Sequence, residues 1–247
     1  MSKHADCLLA ISTGQSRLAE QYDSDFFFQY TSGRWLWGEA NQLQRRYQAF
    51  NIKKLQDLAA RSVNATSCVN MIKLPEGSHN KCFLFTMDND VQVVARIPNP
   101  FLPRKIETAS EVATLDFLRN ELDIPVPKVY AWSNSMDEDV GVEYIIMEKA
   151  PGVELAKCWP TMDVSDKVDI VSQLATIQAK MSSVDWKYYG SLYYRDGRAR
   201  CRDVPGFCER FSIGPITSFD FWEQERMSME KYQGPCELND PFSLGVL

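Results

Sequence analysis

Five consecutive residues, Glu76-Gly77-Ser78-His79-Asn80, have the composition of a loop that can hold an anion. They lie between two predicted strands, and successive backbone N–H groups in such a turn form a small concave site for negative charge. Gly77 lets a ligand approach the backbone closely, because glycine has no Cβ atom. A single glycine between strands is also the ordinary composition of a turn, so this pattern alone leaves both interpretations open.

Metal chemistry and disulfide chemistry are not indicated by the cysteines and histidines. The seven cysteines are irregularly spaced and form no C-x-x-C pair, and the sequence has only two histidines, His4 and His79. This pattern does not match the ligand spacing of zinc sites. We therefore predict free thiols in a reducing compartment and no metal-binding residues.

The elements that must position the loop are predicted strands. Alternating segments indicate strands near residues 68–74, 81–87, 91–97, 128–132 and 142–147. Asp88-Asn89-Asp90 is typical of a tight turn, because Asn and Asp tolerate a left-handed backbone. A helix of about a dozen residues is predicted to begin at Thr108, between the third and fourth strands. The order predicts an α+β fold with a five-stranded antiparallel sheet and one packed helix.

Helices are predicted on both sides of this region. Residues 1–24 are polar and are expected to be loose, whereas residues 25–60 favour a pair of amphipathic helices packed on a larger body. Asn51 is the predicted cap of the second helix. A third helix is predicted over residues 165–182, with an apolar stripe along it. The stripe contains Val168, Val171, Leu174, Ala175, Ile177 and Met181. The first helix of the pair is predicted from the spacing of Trp35, Leu36, Leu43, Tyr47 and Phe50.

Composition and charge exclude several classes of protein. Hydrophobic residues make up 45% of the 247 residues, which excludes global disorder. The 27 Lys and Arg residues against 33 Asp and Glu residues give a net charge of −6, which argues against a nucleic-acid partner. No apolar run approaches the roughly 18 residues that span a bilayer, and the first residues have the pattern of neither a signal peptide nor a transit peptide.

Seven segments in a fixed order carry a family resemblance. They read YTSGRWLW at 30–37, LPEGSHNKCF at 74–83, VVARIPNP at 93–100, TASEVATLDFLR at 108–119, IPVPKVYAWS at 124–133, EYIIMEKAPGVEL at 143–155 and YGSLYY at 189–194. Together they resemble the fungal branch of the aminoglycoside-phosphotransferase-like (kinase-like) family, and within it the group named for altered inheritance of mitochondria, member nine. The resemblance implies a protein-kinase-like fold with a partial second lobe. It also implies a helical extension over residues 25–60, an N-lobe over 61–150 and an incomplete helical C-lobe over 151–247.

The resemblance also implies a nucleotide site. The loop would cover the phosphates with Gly77, Ser78, His79 and Asn80, and Arg96 stands where the kinase third strand carries its phosphate-holding lysine. Arginine keeps the charge and can grip two oxygens, although its fork is larger and differently directed. Without the family, Arg96 would be interpreted as an exposed residue of an edge strand.

Two further positions follow from the same resemblance. Glu111 would pair with Arg96, as the helix glutamate of kinases pairs with lysine. Thr108-x-x-Glu111 also has the pattern of a capping box, so the role of Glu111 stays open between the two. Glu148 and Lys149 lie where the fold joins its lobes, and backbone groups of this hinge would bind adenine.

The expected catalytic motif is missing from the sequence. Kinase-type phosphotransferases use a His-x-Asp loop and a metal-binding Asp, yet no histidine follows His79 and no D-F-G occurs. We therefore expect a truncated or inactive protein, with no catalytic residues, that at most binds ATP, and with Mg²⁺ only if a missing half is supplied. The alternatives are an ATP-dependent small-molecule phosphotransferase whose catalytic half is absent, and a non-catalytic mitochondrial interaction protein. The resemblance favours a mitochondrial location, and the lack of a clear transit peptide leaves a cytoplasmic one open.

Overall fold

Five strands pair into one antiparallel sheet of order β1-β2-β3-β5-β4. The computed structural model describes residues 24–101, 106–136, 139–195, 209–222 and 234–237. The strands are β1 (Cys68–Lys73), β2 (Asn80–Met87), β3 (Gln92–Pro98), β4 (Val129–Ser133) and β5 (Tyr144–Glu148). All four pairings are antiparallel, which confirms the predicted sheet, and the predicted strand ends differ from these by at most two residues.

Side-chain alternation gives the sheet one fully buried face. Buried and half-buried residues alternate along β2 and β3 with the two-residue period of a strand. A helix from the preceding segment, Ile52–Ser62, packs against β1, β2 and β4 on this side. The core of the sheet and this helix includes Leu55, Ala59, Met71, Phe83, Phe85, Met87, Val93, Ala95, Ile97 and Ile146.

Between residue 24 and the sheet, the structure describes the helices α1 (Asp25–Phe28), α2 (Glu39–Arg46) and α3 (Ile52–Ser62). The predicted cap of α3 is confirmed, because Asn51 Oδ1 accepts the N–H of Lys54 at 3.1 Å. The packing of α3 on the sheet agrees with the helix pair expected to cover a larger body.

The predicted start of the first long helix is wrong. Trp35 and Leu36 precede α2, because Gly38 adopts a left-handed φ of 58° immediately before Glu39 and ends the preceding segment. The side chains of Leu36 and Trp37 are 97% and 87% exposed. Local helical spacing therefore overestimated the length of this helix.

The chain divides into two units, and the sheet belongs to the first. The first unit comprises residues 1–109 and 129–149, and the second comprises 110–128 and 150–247. Helix α4 (Glu107–Asn120) begins in the first unit and continues in the second. The remaining elements are α5 (Leu155–Cys158), α6 (Val164–Ser182), β6 (Tyr188–Tyr189), β7 (Ser191–Tyr194), β8 (Phe211–Gly214), β9 (Cys236–Glu237) and two 3-10 turns (Trp159–Thr161 and Phe219–Phe221).

A small core holds the second unit together. Ala113 and Phe117 of α4 pack with Leu192, Phe211 and Ile213 of the β7–β8 hairpin. Asp116 of α4 adds polar contacts to the same hairpin by accepting hydrogen bonds from the Tyr194 hydroxyl at 2.6 Å and from Arg210 at 2.5 Å. Gly190 is required before β7, because a Cβ atom there would lie 2.5 Å from the carbonyl oxygen of Gly214.

Several predictions for the second unit meet different outcomes. The helix predicted over 165–182 is confirmed as α6, whereas β6 to β9 were missed, because strands of two to four residues are too short to show a period. Three residues of the predicted stripe on α6, Val168, Val171 and Leu174, are more than half exposed. No helix among the described residues is long and apolar enough to cross a membrane.

The remaining predictions about segments are not tested. The proposed division into four segments stays a prediction, and residues 1–23 of its flexible part lie outside the described residues. The sequence also predicts turns from Asp137 to Gly141 and at Asp196-Gly197; residues 137 and 138 of the first turn and both residues of the second lie outside the described residues.

Candidate nucleotide site and its buried anchor

The candidate phosphate loop connects β1 to β2 over residues 74–79, which we call the β1–β2 loop. Gly77, Ser78 and His79 are exposed, whereas Glu76 is buried. The backbone N–H of Asn99 donates to the carbonyl oxygen of His79 at 2.7 Å, and its side-chain amide donates to that of Ser78 at 3.3 Å. These bonds tie two loop carbonyl groups to the end of β3 while the loop itself stays accessible to a ligand.

Strand register determines which cation lies on the face of the sheet opposite the core. Arg96 pairs with Cys82, and Asn80 pairs with Pro98. Asn80, Cys82 and Arg96 therefore share one face, where Asn80 and Arg96 are diagonal neighbours with Cα atoms about 7–8 Å apart. Arg96 is half-buried, and the buried side-chain oxygen of Asn80 has no hydrogen-bond partner. The structure thus places two of the predicted site residues side by side at the loop end of the sheet.

The same face continues toward the predicted hinge. Val94, on β3, pairs with Met147, and Arg96 pairs with Ile145, so apolar side chains follow the polar end. Glu148 ends β5, and the exposed Lys149 follows it. The three steps from Ile145 to Glu148 span about 10 Å along the strand. Ile145 and Met147 are 1% and 6% exposed, so this face has a cation at one end and a covered apolar middle, and it leads to Glu148 and Lys149.

Glu111 lies on α4 in the second unit, whereas Arg96 lies in the first. The proposed pair between them stays a prediction. The capping box is wrong, because α4 already begins at Glu107 and the buried hydroxyl of Thr108 has no hydrogen-bond partner. The Thr108 side chain therefore does not cap the helix.

Lys81, the neighbouring cation on β2, faces the opposite way. Its side chain is fully buried on the core face with Phe83, Phe85 and Met87, as the two-residue period predicts. It donates to the carbonyl oxygen of Arg46 and to Asn99 Oδ1, the latter at 2.8 Å. The sequence alone leaves open that Lys81 contacts phosphate while Phe83 and Phe85 line an adenine site; their burial in the core shows that this interpretation is wrong.

Lys81 belongs to a buried polar group that we call the anchor cluster, consisting of Arg46, Lys73, Glu76, Lys81 and Asn99. The Glu76 carboxylate lies between two lysines, with Lys73 Nζ at 3.4 Å from Oε2 and Lys81 Nζ at 3.9 Å from Oε1. All three of these side chains are at most 1% exposed. Glu76 Oε1 has no hydrogen-bond partner. The arrangement buries three cations beside one carboxylate, and backbone carbonyl groups must supply the remaining acceptors.

Residues 24–51, which we call the N-terminal segment, supply most of those acceptors. Lys73 Nζ donates to the carbonyl oxygen of Phe26 at 3.1 Å and to that of Gln29. The Arg46 guanidinium lies over three aromatic rings, with its carbon 4.6 Å from the centroid of Trp35, 4.7 Å from Phe101 and 5.8 Å from Tyr30. Cation–π contacts of this kind offset part of the hydration that the cation loses.

Burial weakens the protonation of these cations. Loss of hydration lowers the pKa of Lys81 from 10.5 to about 8; the charge of Glu76 opposes this shift, and Lys73 and Arg46 add to it. Burial likewise lowers the pKa of Lys73, against the attraction of Glu76. Burial also lowers the pKa of Arg46. The anchor cluster therefore loses positive charge at a lower pH than exposed lysines would.

Sequence analysis named Glu76 as a loop residue but missed its role in the anchor cluster. A signal was present: Lys81 shares the two-residue period of Phe83, Phe85 and Met87, and a lysine on a buried face requires a partner. The hydrogen-bond partners of Lys73, Glu76 and Lys81 in the N-terminal segment could not be identified, because they lie 35 to 47 positions away in sequence.

The comparisons with known proteins agree with the geometry. Residues 71–207 match the phosphotransferase enzyme family, APH. A subtelomeric hrmA-associated cluster protein of Aspergillus fumigatus is 40% identical over 185 residues, which cover 73% of this chain and 36% of that protein. Proteins named altered inheritance of mitochondria protein 9, mitochondrial, are 26% identical in Yarrowia lipolytica and in Candida tropicalis; each match covers 88% of this chain and 43% of the relative. No solved structure matches. The chain thus spans less than half the length of these relatives.

We predict that Lys81 makes folding stability rise with pH between about 8 and 10.5. In this window the folded protein has released the Lys81 proton while the unfolded chain keeps it, so unfolding takes up a proton and becomes less favourable as pH rises. The slope from one such group is at most about 1.4 kcal/mol per pH unit. Urea unfolding at several pH values should show a smaller slope in Lys81→Met than in the wild type.

The control for this measurement is Lys157→Met, since the Lys157 side chain is 70% exposed. Its slope should equal that of the wild type. Cys68, whose pKa burial raises, is present in every variant and contributes to each slope alike. Equal slopes in Lys81→Met and wild type would show that Lys81 keeps its proton in the folded protein.

Proposed function

Because this chain belongs to the APH phosphotransferase enzyme family, which has a kinase-like fold, we propose that it binds a nucleotide, ATP, on the first unit without transferring its phosphate. The observation that carries the proposal is the register of β2, β3 and β5. It puts Asn80 and Arg96 together at the loop end and leads over Val94 and Met147 to Glu148. Arg96 would bind phosphate oxygens, and backbone groups at Glu148 and Lys149 would bind the base.

The residues present suit a phosphate better than they suit a metal. Arginine donates two parallel hydrogen bonds to a phosphate, and the exposed β1–β2 loop offers backbone near it. Among the residues that the structure describes, no group of three His, Cys, Asp or Glu side chains is arranged to hold a metal ion. We therefore assign no step to Mg²⁺ on this chain. A phosphotransferase acting on a small molecule would need a His-x-Asp loop after the sheet, and no histidine follows His79 in these 247 residues.

We predict that Arg96→Ala weakens ATP binding by about 10- to 150-fold and leaves adenosine binding nearly unchanged. A hydrogen bond to a charged group contributes roughly 1.5–3 kcal/mol, which corresponds to that range. Isothermal titration with both ligands measures the effect, and Arg61→Ala on the exposed side of α3 is the control. Equal losses for ATP and adenosine would indicate misfolding, and no loss for either would remove Arg96 from the site.

We also predict that the chain does not hydrolyse or transfer phosphate at an enzyme-like rate. Phosphoryl transfer depends on a base and on metal-binding acids that position and stabilise the transferring group, and no His-x-Asp loop to supply this base follows His79 in these residues. ADP release by the purified chain should stay far below about 1 s⁻¹, the low end for kinases. A rate at or above that value would contradict the proposal.

We further propose a mitochondrial location, from the names of the relatives that carry the word mitochondrial. The cytoplasm is the alternative. Fractionation of fungal cells that express the chain with a C-terminal tag should recover it with mitochondria and protect it from added protease. Recovery in the cytosolic fraction alone would contradict this location without affecting the nucleotide site.

A further inference from the structure

Glu76 joins the β1–β2 loop to the N-terminal segment through two hydrogen bonds. The backbone N–H of Thr31 donates to Glu76 Oε2 at 2.7 Å. The backbone N–H of Glu76 donates to Ser32 Oγ at 2.6 Å. Thr31 therefore holds the side chain of Glu76, and Ser32 holds its main chain. These two consecutive residues lie 45 and 44 positions earlier in the sequence.

The two strands that flank the loop are tied to the same segment. Lys73, the last residue of β1, donates to the carbonyl oxygens of Phe26 and Gln29. Lys81, the second residue of β2, donates to the carbonyl oxygen of Arg46. The N-terminal segment thus contacts the strand before the loop, the first buried residue of the loop and the strand after it.

We propose that the N-terminal segment is a positioning element for the β1–β2 loop, so that nucleotide affinity depends on residues that never touch the nucleotide. This inference rests on the proposed nucleotide site. Glu76, Thr31 and Ser32 are positioning residues, because they act through the backbone of Gly77 to His79. A loop fixed before binding does not lose conformational freedom when phosphate arrives, whereas a loosened loop does and binds more weakly.

The contacts that hold Glu76 also explain why its carboxylate can lie next to a loop that is proposed to bind phosphate. An exposed glutamate beside Gly77 would repel phosphate, since like charges at short range destabilise each other. Here Lys73 and Lys81 lie on either side of the Glu76 carboxylate, and both its oxygens are buried. Within the anchor cluster the cations outnumber the carboxylate, so the local charge behind the loop stays favourable for an anion.

The test uses Ser32→Ala, which removes the hydroxyl that accepts the Glu76 N–H. Since one net hydrogen bond is worth about 0.5–1.5 kcal/mol, ATP affinity should fall about 2- to 12-fold while adenosine affinity stays unchanged. Amide hydrogen exchange at residues 77–79 should become faster. Ser32→Thr keeps the hydroxyl and should restore both values.

The matched control is Ser62→Ala on α3, which removes a hydroxyl that donates to the carbonyl oxygen of Ala59 at 2.7 Å. It loses one hydrogen bond in the same unit, and it should change neither ATP affinity nor exchange at residues 77–79. If the wild type binds ATP, and Ser32→Ala has the same ATP affinity and the same exchange at residues 77–79 as Ser62→Ala, this inference alone is overturned. Wild-type protein that binds no ATP would overturn the proposed function and the inference with it.

Discussion

The Glu76 carboxylate between Lys73 and Lys81 is the interaction on which the first unit depends. Removing three ions from water costs several kcal/mol for each ion, and one carboxylate cannot offset that cost for two lysines. Carbonyl oxygens of Phe26, Gln29 and Arg46 complete the bonding, and all three come from the N-terminal segment. The segment and the sheet therefore require each other: without the segment, two buried ammonium groups would lose acceptors, and without the lysines the segment would lose its main polar contacts.

Strand geometry alone separates the cations of the two strands β2 and β3. β2 and β3 carry one cation each, Lys81 and Arg96, and the pairing of Lys81 with Ile97 and of Cys82 with Arg96 sends them to opposite faces. Lys81 stabilises the anchor cluster on the core face, and Arg96 lies on the opposite face beside Asn80. The residue type at each position suits its face.

Local sequence patterns predicted most elements of the first unit, but they did not predict its long-range contacts. The strands, the Asn51 cap and the face shared by Lys81 and Phe83 follow from a period or a cap that the neighbouring residues fix. The hydrogen-bond partners of Lys81 and Glu76 do not, because they lie 18 to 45 residues away. Helical spacing from Trp35 onward failed at Gly38, where a left-handed backbone overrides side-chain periodicity. Thr108 shows the same limit, since a capping pattern has no effect once the helix has already begun.

The residues of the candidate nucleotide site belong to one of the two units. The loop, Arg96 and Glu148 lie together in the first unit, so a nucleotide could be held by residues of the sheet alone. Acceleration of phosphoryl transfer requires groups that bind the transition state better than the nucleotide itself, and a cation that grips both equally raises affinity without raising the rate. Arg96 and the β1–β2 loop are the groups that we propose bind the phosphates. Their presence therefore supports nucleotide binding on this chain and carries no implication that the bound phosphate reacts.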